Sequence, residues 1–232
     1  MEMVKTLAES LADTRSRIDA AARRAGREPG DVRLMAVTKG FPREVVRDAM
    51  EAGLTLFGEN RVQEAEAKFA DLSGQWEAHL IGHLQTNKAR TAAALFACVQ
   101  SIDSAHTAAA LDGRCAERGT SLDVLLELNT SGEEAKSGFR GRDDLLAGLD
   151  AVGKLSRLRL RGLMTVGPLT EDTQKIRAAF SQLRSLFEEV RRGVPVFDTL
   201  SMGMSGDFEI AIEEGATLVR LGTALFGPRA AR

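Results

Sequence analysis

Short apolar runs alternate with longer segments of helical periodicity along nearly the whole chain. Each run is too short for a buried helix and is typical of a buried parallel strand. Helix-sized segments separate seven of the runs from the next one. The regular alternation predicts a parallel α/β architecture. The eight runs lie at residues 32–37, 54–58, 78–82, 96–102, 123–128, 158–166, 199–202 and 217–221.

A further amphipathic segment precedes the first run. Apolar residues recur at helical spacing from Val4 to Ala25, and Gly26 is well placed as a C-terminal cap. No linker or low-complexity stretch divides the chain, so we predict one domain over residues 1–232. An open doubly wound sheet usually has fewer strands and a glycine-rich phosphate turn after the first, which Lys39-Gly-Phe-Pro42 is not. We therefore predict a single (β/α)8 TIM barrel with an extra N-terminal helix.

Composition and charge narrow the classes of function. The formal net charge is −2, from 31 basic and 33 acidic residues, and no basic block typical of nucleic-acid binding is present. No apolar run approaches the roughly 20 residues that cross a bilayer, and the N-terminal pattern is not a signal peptide. Cys98 and Cys115 form no pair or metal motif, as is usual in a reducing compartment. We expect a cytoplasmic monomer that binds neither nucleic acid nor membrane.

The first apolar run ends in a lysine, Lys39, which is followed by Gly40 and Pro42. A lysine there projects from the C-terminal end of the strand, where partial burial lowers the pKa of its amine. An amine of this kind can form an imine with an aldehyde. Two interpretations are open at this point, namely a lysine whose charged end simply reaches solvent and a covalent attachment site.

Polar residues also follow the other runs. In a TIM barrel the C-terminal ends of the strands form the active face, and the loops after strands seven and eight often hold a phosphate through backbone N–H groups. We therefore predict a phosphate site in these two loops, although two ordinary turns would give the same pattern. The polar strand-end candidates are Asn60 and His83 after the second and third runs, Ser201 and Ser205 at the seventh, and Gly222 and Thr223 after the eighth.

Arg220 interrupts the last apolar run, between Val219 and Leu221. A buried guanidinium needs an acceptor, which a neighbouring carboxylate or a ligand would supply. A lysine amine, a phosphate site and an inward arginine together describe a site for pyridoxal 5′-phosphate, in which Arg220 donates to the pyridine nitrogen. An arginine keeps that nitrogen unprotonated, so the ring is a weak electron sink and transaminase chemistry is disfavoured.

Seven motifs, in order and at compatible spacing, resemble the YggS/PROSC family of pyridoxal phosphate homeostasis proteins, which share the N-terminal barrel fold of alanine racemase. The resemblance implies pyridoxal 5′-phosphate as the cofactor, carried by Lys39 as an internal aldimine with Arg220 facing the ring nitrogen. It implies Ser201, Ser205, Gly222 and Thr223 around the phosphate, and Asn60 and His83 beside the ring. The motifs occupy residues 36–39, 57–64, 79–88, 129–139, 162–168, 200–205 and 220–227.

The resemblance also implies a function: holding the cofactor as the Lys39 aldimine and taking part in intracellular homeostasis of pyridoxal phosphate, without robust turnover. Racemisation needs acid–base groups on both faces of the substrate. Racemases of this fold take the second group, a tyrosine, from an additional C-terminal domain of the partner subunit. This sequence has no tyrosine, and we expect that domain to be absent. We assign no catalytic residue, and we expect cofactor-free enzymes that use pyridoxal phosphate to be the recipients.

Other functions remain as alternatives. The chain could be a weak racemase or lyase that uses pyridoxal phosphate and acts on an unknown amino acid. It could also be a class I aldolase, in which a lysine imine forms with a sugar phosphate. His79 and His83 have no third ligand nearby in the sequence, so we predict no metal site.

Overall fold

Eight parallel strands close into a barrel in the computed structural model, which describes residues 5–133, 136–194 and 196–229. The strands pair in chain order, and the first pairs with the last to complete the ring. They are β1 (Arg33–Val37), β2 (Leu56–Glu59), β3 (Glu77–Leu80), β4 (Cys98–Ile102), β5 (Leu122–Glu127), β6 (Leu158–Met164), β7 (Thr199–Ser201) and β8 (Leu218–Leu221).

A helix follows each strand, and one more precedes the barrel. The preceding helix is α1 (Leu7–Arg24), and short 3-10 helices lie at Pro29–Asp31 and Thr86–Lys88. The helices that follow the strands are α2 (Arg43–Glu51), α3 (Val62–Phe69), α4 (Ala89–Leu95), α5 (Ala105–Arg118), α6 (Gly141–Gly153), α7 (Thr173–Arg191), α8 (Phe208–Glu213) and α9 (Thr223–Phe226).

The extra helix α1 begins with a capping box. The Thr6 hydroxyl accepts a hydrogen bond from the N–H of Glu9, and the Glu9 carboxylate accepts one from the N–H of Thr6. These two bonds satisfy N–H groups that would otherwise be unpaired at the helix start. Leu11 and Ile18 are buried on the face that packs against α8 and α9, and Arg17 pairs with Glu209 of α8 at 3.0 Å. The helix therefore covers the last two helices of the barrel.

Apolar side chains fill two separate regions. The larger lies between the sheet and the helices and includes fully buried Phe57, Phe180 and Phe208. The barrel interior holds two small clusters, Met35 with Leu56 and Leu218, and Cys98 with Leu125 and Met164. Polar side chains take up part of the interior as well, and those of His79, Gln100, Ser201 and Arg220 are buried there.

The prediction of a (β/α)8 barrel with an extra N-terminal helix is confirmed, and each predicted strand lies within a few residues of an observed one. The four-residue helix α9 was not predicted, because Thr223–Phe226 is too short to show helical periodicity. The assignment of one domain to residues 1–232 stays a prediction. No helix within the described ranges is long and apolar enough to cross a membrane.

Candidate functional site

Lys39 lies two residues beyond the end of β1, at the C-terminal mouth of the barrel. Its side chain is half-buried, and within the described residues its amine has no hydrogen-bond or ion-pair partner. Burial is the main cause that lowers the pKa of Lys39, with the nearby charges of Arg229 and Arg220 adding to it; Glu59 and Glu64 oppose the shift. The amine is therefore more easily deprotonated than an ordinary lysine.

A buried ion cluster lies beneath the turn that carries Lys39. The ammonium of Lys68 donates to the carbonyl of Thr38 at 2.5 Å, to Glu59 Oε1 at 2.8 Å and to Glu64 Oε1 at 2.7 Å. The Thr38 hydroxyl also donates to Glu59 Oε1, and the N–H of Gly40 donates to Glu64 Oε1. The backbone on both sides of Lys39 is thus tied to α3. We name this group, Lys68 with Glu59 and Glu64, the Lys68 cluster.

The sequence interpretation missed the Lys68 cluster. Glu64 and Lys68 are four residues apart on α3 and so share one face of that helix. Lys68 also falls on the buried side of the helix beside Phe69. A lysine on a buried helix face needs a carboxylate, and this was the available signal. The partner in β2, Glu59, could not be identified without the fold.

Arg220 points inward from β8 and is only 4% exposed. Its Nη1 donates to the hydroxyl of Ser201 at 2.8 Å and its Nη2 to the carbonyl of Thr165 at 2.7 Å. Burial lowers the pKa of Arg220 to about 10, so it remains charged at neutral pH, and Glu127 and Asp207 act in the opposite direction. Among the described residues, neither carboxylate comes within ion-pair distance of the guanidinium. Neutral acceptors therefore hold two of its nitrogens, and its charge is not paired directly.

The loops after β7 and β8 come together beside Lys39. The hydroxyl of Ser205 accepts a hydrogen bond from the N–H of Ala224 at 3.1 Å, which ties the two loops to each other. Gly222 approaches β1 so closely that a Cβ would lie 3.2 Å from the carbonyl oxygen of Val37. Thr223 is exposed and lines the same cavity as Lys39. Three of the residues predicted for the phosphate are thus neighbours at the barrel mouth.

Ser201 differs from these three. Its side chain is fully buried, and its hydroxyl accepts from Arg220 and donates to Gln100 Oε1 at 2.6 Å. The hydroxyl therefore faces the barrel interior and contacts the guanidinium. A direct role of Ser201 at a phosphate stays a prediction.

Asn60 and His83 follow β2 and β3 on the same rim. Asn60 is half-buried, and Gly82 packs on its backbone so tightly that a Cβ would lie 2.4 Å from the Asn60 carbonyl oxygen. His83 is exposed, and its Nδ1 lies 2.8 Å from Oδ2 of Asp103. The two residues thus border one rim, and Asn60 lines the same cavity as Lys39.

Two adjoining cavities open at this rim. The smaller, of about 640 Å³, is lined by Lys39, Gly40, Asn60, Arg61, Glu64, Thr223, Pro228 and Arg229. The larger, of about 1040 Å³, shares Gly40, Asn60, Arg61 and Glu64 with it and extends to His83 and Lys88. Small-molecule sites commonly have volumes in this range. The strand-end lysine therefore opens onto a space that can hold a cofactor.

Glu127, at the end of β5, is a buried carboxyl that the sequence interpretation did not single out. It is 8% exposed, and within the described part of the chain its carboxyl has no hydrogen-bond partner. Burial raises the pKa of Glu127 to about 7, with Asp103 adding to the shift and Arg220 and His83 opposing it. Its position inside the apolar run from Leu122 to Leu128 was the available signal.

Residues 134 and 135, in the motif at 129–139, lie outside the described residues. Among the residues that are described, no group of three or more histidine, cysteine, aspartate or glutamate side chains is arranged to hold a metal ion.

Comparisons with known proteins add a family context. The family of the alanine racemase N-terminal domain matches residues 10–230. The pyridoxal phosphate homeostasis protein of Pseudomonas aeruginosa is 46% identical over 229 residues, which cover 97% of each chain. The protein of the same name from Escherichia coli K12 is 41% identical, over 96% of this chain and 97% of its own.

Solved structures agree with the sequence comparisons. PipY of Synechococcus elongatus with pyridoxal phosphate bound is similar at a TM-score of 0.83 and 38% identity, over 96% of this chain and all of that one. An alanine racemase of Clostridium difficile has a TM-score of 0.72 at 14% identity, over 94% of this chain and 57% of the racemase. The second likeness concerns the fold alone.

Proposed function

This chain belongs to the family of pyridoxal phosphate homeostasis proteins, and we propose that it holds pyridoxal 5′-phosphate on Lys39 and takes part in cellular homeostasis of that cofactor. One observation carries the proposal. Among the described residues, the amine of Lys39 has no hydrogen-bond or ion-pair partner and the buried guanidinium of Arg220 has no paired carboxylate. Lys39 follows β1, the strand that pairs with the β8 strand of Arg220. Each of these groups lacks an interaction that pyridoxal phosphate can provide.

The residues present fit the cofactor. A buried arginine held by a hydroxyl and a backbone carbonyl keeps further N–H groups and its full charge for a ligand. The cavity that Lys39 lines is large enough for a small aromatic phosphate. When bound, pyridoxal phosphate supplies an aldehyde that captures amines and a ring that withdraws electrons from them.

Lys39 is the proposed covalent attachment point. Its neutral amine attacks the aldehyde carbon, a C=N bond forms, and the aldehyde oxygen leaves as water with the two amine hydrogens. Only the deprotonated amine is nucleophilic, so a lowered pKa increases the reactive fraction at neutral pH. The Lys68 cluster holds the backbone of Thr38 and Gly40, and thereby fixes the direction from which the amine approaches.

The other site residues orient the ligand in this proposal. Arg220 donates to the pyridine nitrogen and keeps it unprotonated, because a proton on that nitrogen would place a second positive charge beside the guanidinium. Ser205, Gly222 and Thr223 surround the phosphate, with Ser201 beneath them. Asn60 and His83 lie beside the ring.

We propose further that the protein stores and delivers the cofactor without sustained turnover. The relatives are named as homeostasis proteins, and the sequence contains no tyrosine that could act as a second acid–base group. The recipients are cofactor-free enzymes that use pyridoxal phosphate. The monomeric state and the cytoplasmic location remain predictions from the sequence.

One observation favours a second candidate function, a weak racemase or lyase. His83 and Asp103 form an imidazole–carboxylate pair at 2.8 Å on the same rim as Lys39. Such a pair can move a proton. It is half-exposed rather than enclosed by protein, so we rank this function below storage and delivery.

Two measurements on the loaded protein separate these functions. We expect the loaded protein to restore activity to a cofactor-free aminotransferase, and to leave D- and L-amino acids unracemised over many hours. Failure to restore that activity would argue against delivery. Steady racemisation at ordinary enzyme rates, about 1–10³ per second, would overturn the non-enzymatic function.

A further inference from the structure

A line of buried polar side chains crosses the barrel interior and ends at Arg220. Arg220 Nη1 donates to Ser201 at 2.8 Å, Ser201 donates to Gln100 Oε1 at 2.6 Å, and Gln100 Nε2 lies 2.8 Å from His79 Nδ1. His79 Nε2 faces Glu77 at 3.7 Å, which is longer than a hydrogen bond. These residues come from β8, β7, β4 and β3. The line therefore runs from the predicted cofactor face to the N-terminal ends of the strands.

Each hydrogen bond in this line is donated in the direction from Arg220 toward His79. The carbonyl oxygen of Gln100 accepts from Ser201, so the group that faces His79 is the amide nitrogen, which can only donate. His79 Nδ1 must then accept, and its proton resides on Nε2, toward Glu77. Burial lowers the pKa of His79 and favours this neutral form. Protonation of Nδ1 would reverse one link and leave Gln100 in the wrong orientation for Ser201.

Because these side chains are buried, breaking any of their hydrogen bonds would cost free energy. Gln100 and Ser201 are fully buried, and His79 is 6% exposed. A buried polar group without a partner costs about 1–3 kcal/mol. Each side chain in the line is therefore held in its orientation by the hydrogen bonds to its neighbours. A serine that donates to Gln100 has its oxygen lone pairs free to accept from Arg220. The guanidinium is thereby held by neutral groups, and its charge stays available at the cofactor face.

We propose that Gln100 and His79 are positioning residues, which set the orientation of the Arg220 guanidinium through Ser201. Neither residue lies in the set that we assign to the cofactor itself. Gln100 holds the hydroxyl of Ser201 in the accepting orientation, and His79 fixes the Gln100 amide. The inference rests on the proposed function for its purpose, because Arg220 is the group that meets the pyridine nitrogen.

The proposal can be tested first without the cofactor. In the cofactor-free protein, the side-chain N–H signals of Arg220 in nitrogen-15 NMR spectra report how firmly the guanidinium is held. Gln100→Leu has nearly the same volume and removes both hydrogen bonds. We expect hydrogen exchange at Arg220 Nη1 to accelerate at least roughly tenfold in this variant.

Cofactor binding provides the second readout. We expect Gln100→Leu to raise the Kd for pyridoxal phosphate roughly tenfold. We also expect the visible absorbance band of the bound cofactor to shift. The effect of His79→Leu should be smaller, because His79 is one link further from Arg220. Leu125→Val is the matched control, since Leu125 is buried in the same barrel interior but outside the line. It should lower stability and leave both readouts unchanged.

The outcomes distinguish this inference from the proposed function. Unchanged Arg220 signals in Gln100→Leu overturn the positioning role, whatever the cofactor does. Changes of the same size in Leu125→Val also overturn it, because they would reflect general loosening. A wild-type protein that binds no pyridoxal phosphate removes the proposed function, and the NMR comparison still decides the orientation of Arg220. If Gln100→Leu does not fold, Gln100→Met takes its place, because it also removes both hydrogen bonds and has a flexible apolar side chain of similar volume, and the same NMR outcomes apply.

Discussion

Three titratable side chains near the barrel mouth, those of Lys39, Arg220 and Glu127, are buried or half-buried, and none of them has a directly paired charge in the part of the chain that the structure describes. Burial disfavours the charged form of each one. Lys39 becomes a better nucleophile, Glu127 becomes neutral more readily, and Arg220 keeps its charge because its ordinary pKa is so high. The same physical cause thus has a different chemical consequence for each of the three groups.

Glu127 gives this protein a measurable pH dependence of stability. The pKa of its carboxyl rises to about 7 in the folded protein, against an ordinary value of 4.5. The contribution of Glu127 to stability is therefore fully present below about pH 4.5 and is lost as the pH rises through 7. The full loss is roughly 3 kcal/mol, from the difference between these two pKa values. Glu127→Gln removes this loss.

Urea unfolding of the cofactor-free protein at pH 5 and pH 8 measures this effect. We expect Glu127→Gln to be more stable than wild type at pH 8, with a clearly smaller difference at pH 5. A difference that is the same at both pH values would show that Glu127 does not titrate in this range.

Single site residues could be predicted from the sequence where a charged residue ended or interrupted an apolar run. Lys39 closes an apolar run and Arg220 interrupts one, so both could be predicted as candidates. Gln100 and His79 also lie within runs, but their roles depend on a contact across the barrel between β4 and β7, and no local pattern encodes such a contact. Ser201 was predicted as a polar residue at a strand end, whereas only the fold shows that its hydroxyl faces the barrel interior.

At the scale of elements, α3 is coupled to the turn after β1 through the Lys68 cluster. Lys68 and Glu59 are buried, and Oε2 of Glu59 has no hydrogen-bond partner within the described residues. Burial raises the pKa of Glu59, and hydrogen bonds from Lys68 and Thr38 act against that shift. The cluster thus depends on Lys68 to compensate the carboxylates on either side of the Lys39 turn.

Removing Lys68 should damage both stability and cofactor attachment. Lys68→Met leaves Glu59 buried without its cation, and breaking a buried pair in this way costs roughly 3–5 kcal/mol. The turn that carries Lys39 also loses its contact at the Thr38 carbonyl. We expect a lower free energy of unfolding in urea, and a weaker visible absorbance band after addition of pyridoxal phosphate.

The double variant Lys68→Met with Glu59→Gln is the control for this prediction. It removes the uncompensated charge, so it should recover at least half of the lost stability. Lys88→Met should have little effect, because Lys88 is half-buried and pairs with no carboxylate among the described residues. Equal stability of wild type and Lys68→Met would contradict the coupling of α3 to the Lys39 turn.

The sequence predicted long helices and strands better than it predicted short helices. Strands and long helices have many residues in register with one period, so their existence was predictable and their ends were accurate to a few residues. The short helix α9 has a single turn, and its start is determined by the contacts of Gly222 with β1 and of Ser205 with Ala224. Those contacts connect distant segments and leave no periodic signal.

At the scale of the whole molecule, closure of the barrel creates the site. Pairing of β1 with β8 places Met35 opposite Arg220, so the strand that carries Lys39 lies beside the strand that carries the guanidinium. The loops after β7 and β8 then reach the same rim. Eight alternating runs predicted the barrel, whereas the register that brings these residues together is a property of the closed sheet.

The central claim is that pyridoxal phosphate is attached to Lys39. The most direct test is to load the purified protein with pyridoxal phosphate, reduce it with borohydride and locate the labelled peptide by mass spectrometry. We predict a yellow protein, one stable label, and that label on Lys39. Lys39→Ala should lose the label and the visible band, whereas Lys88→Ala, at a lysine that lines the adjoining cavity, should keep both. A colourless wild-type protein, or a label found on any other residue, would contradict the account.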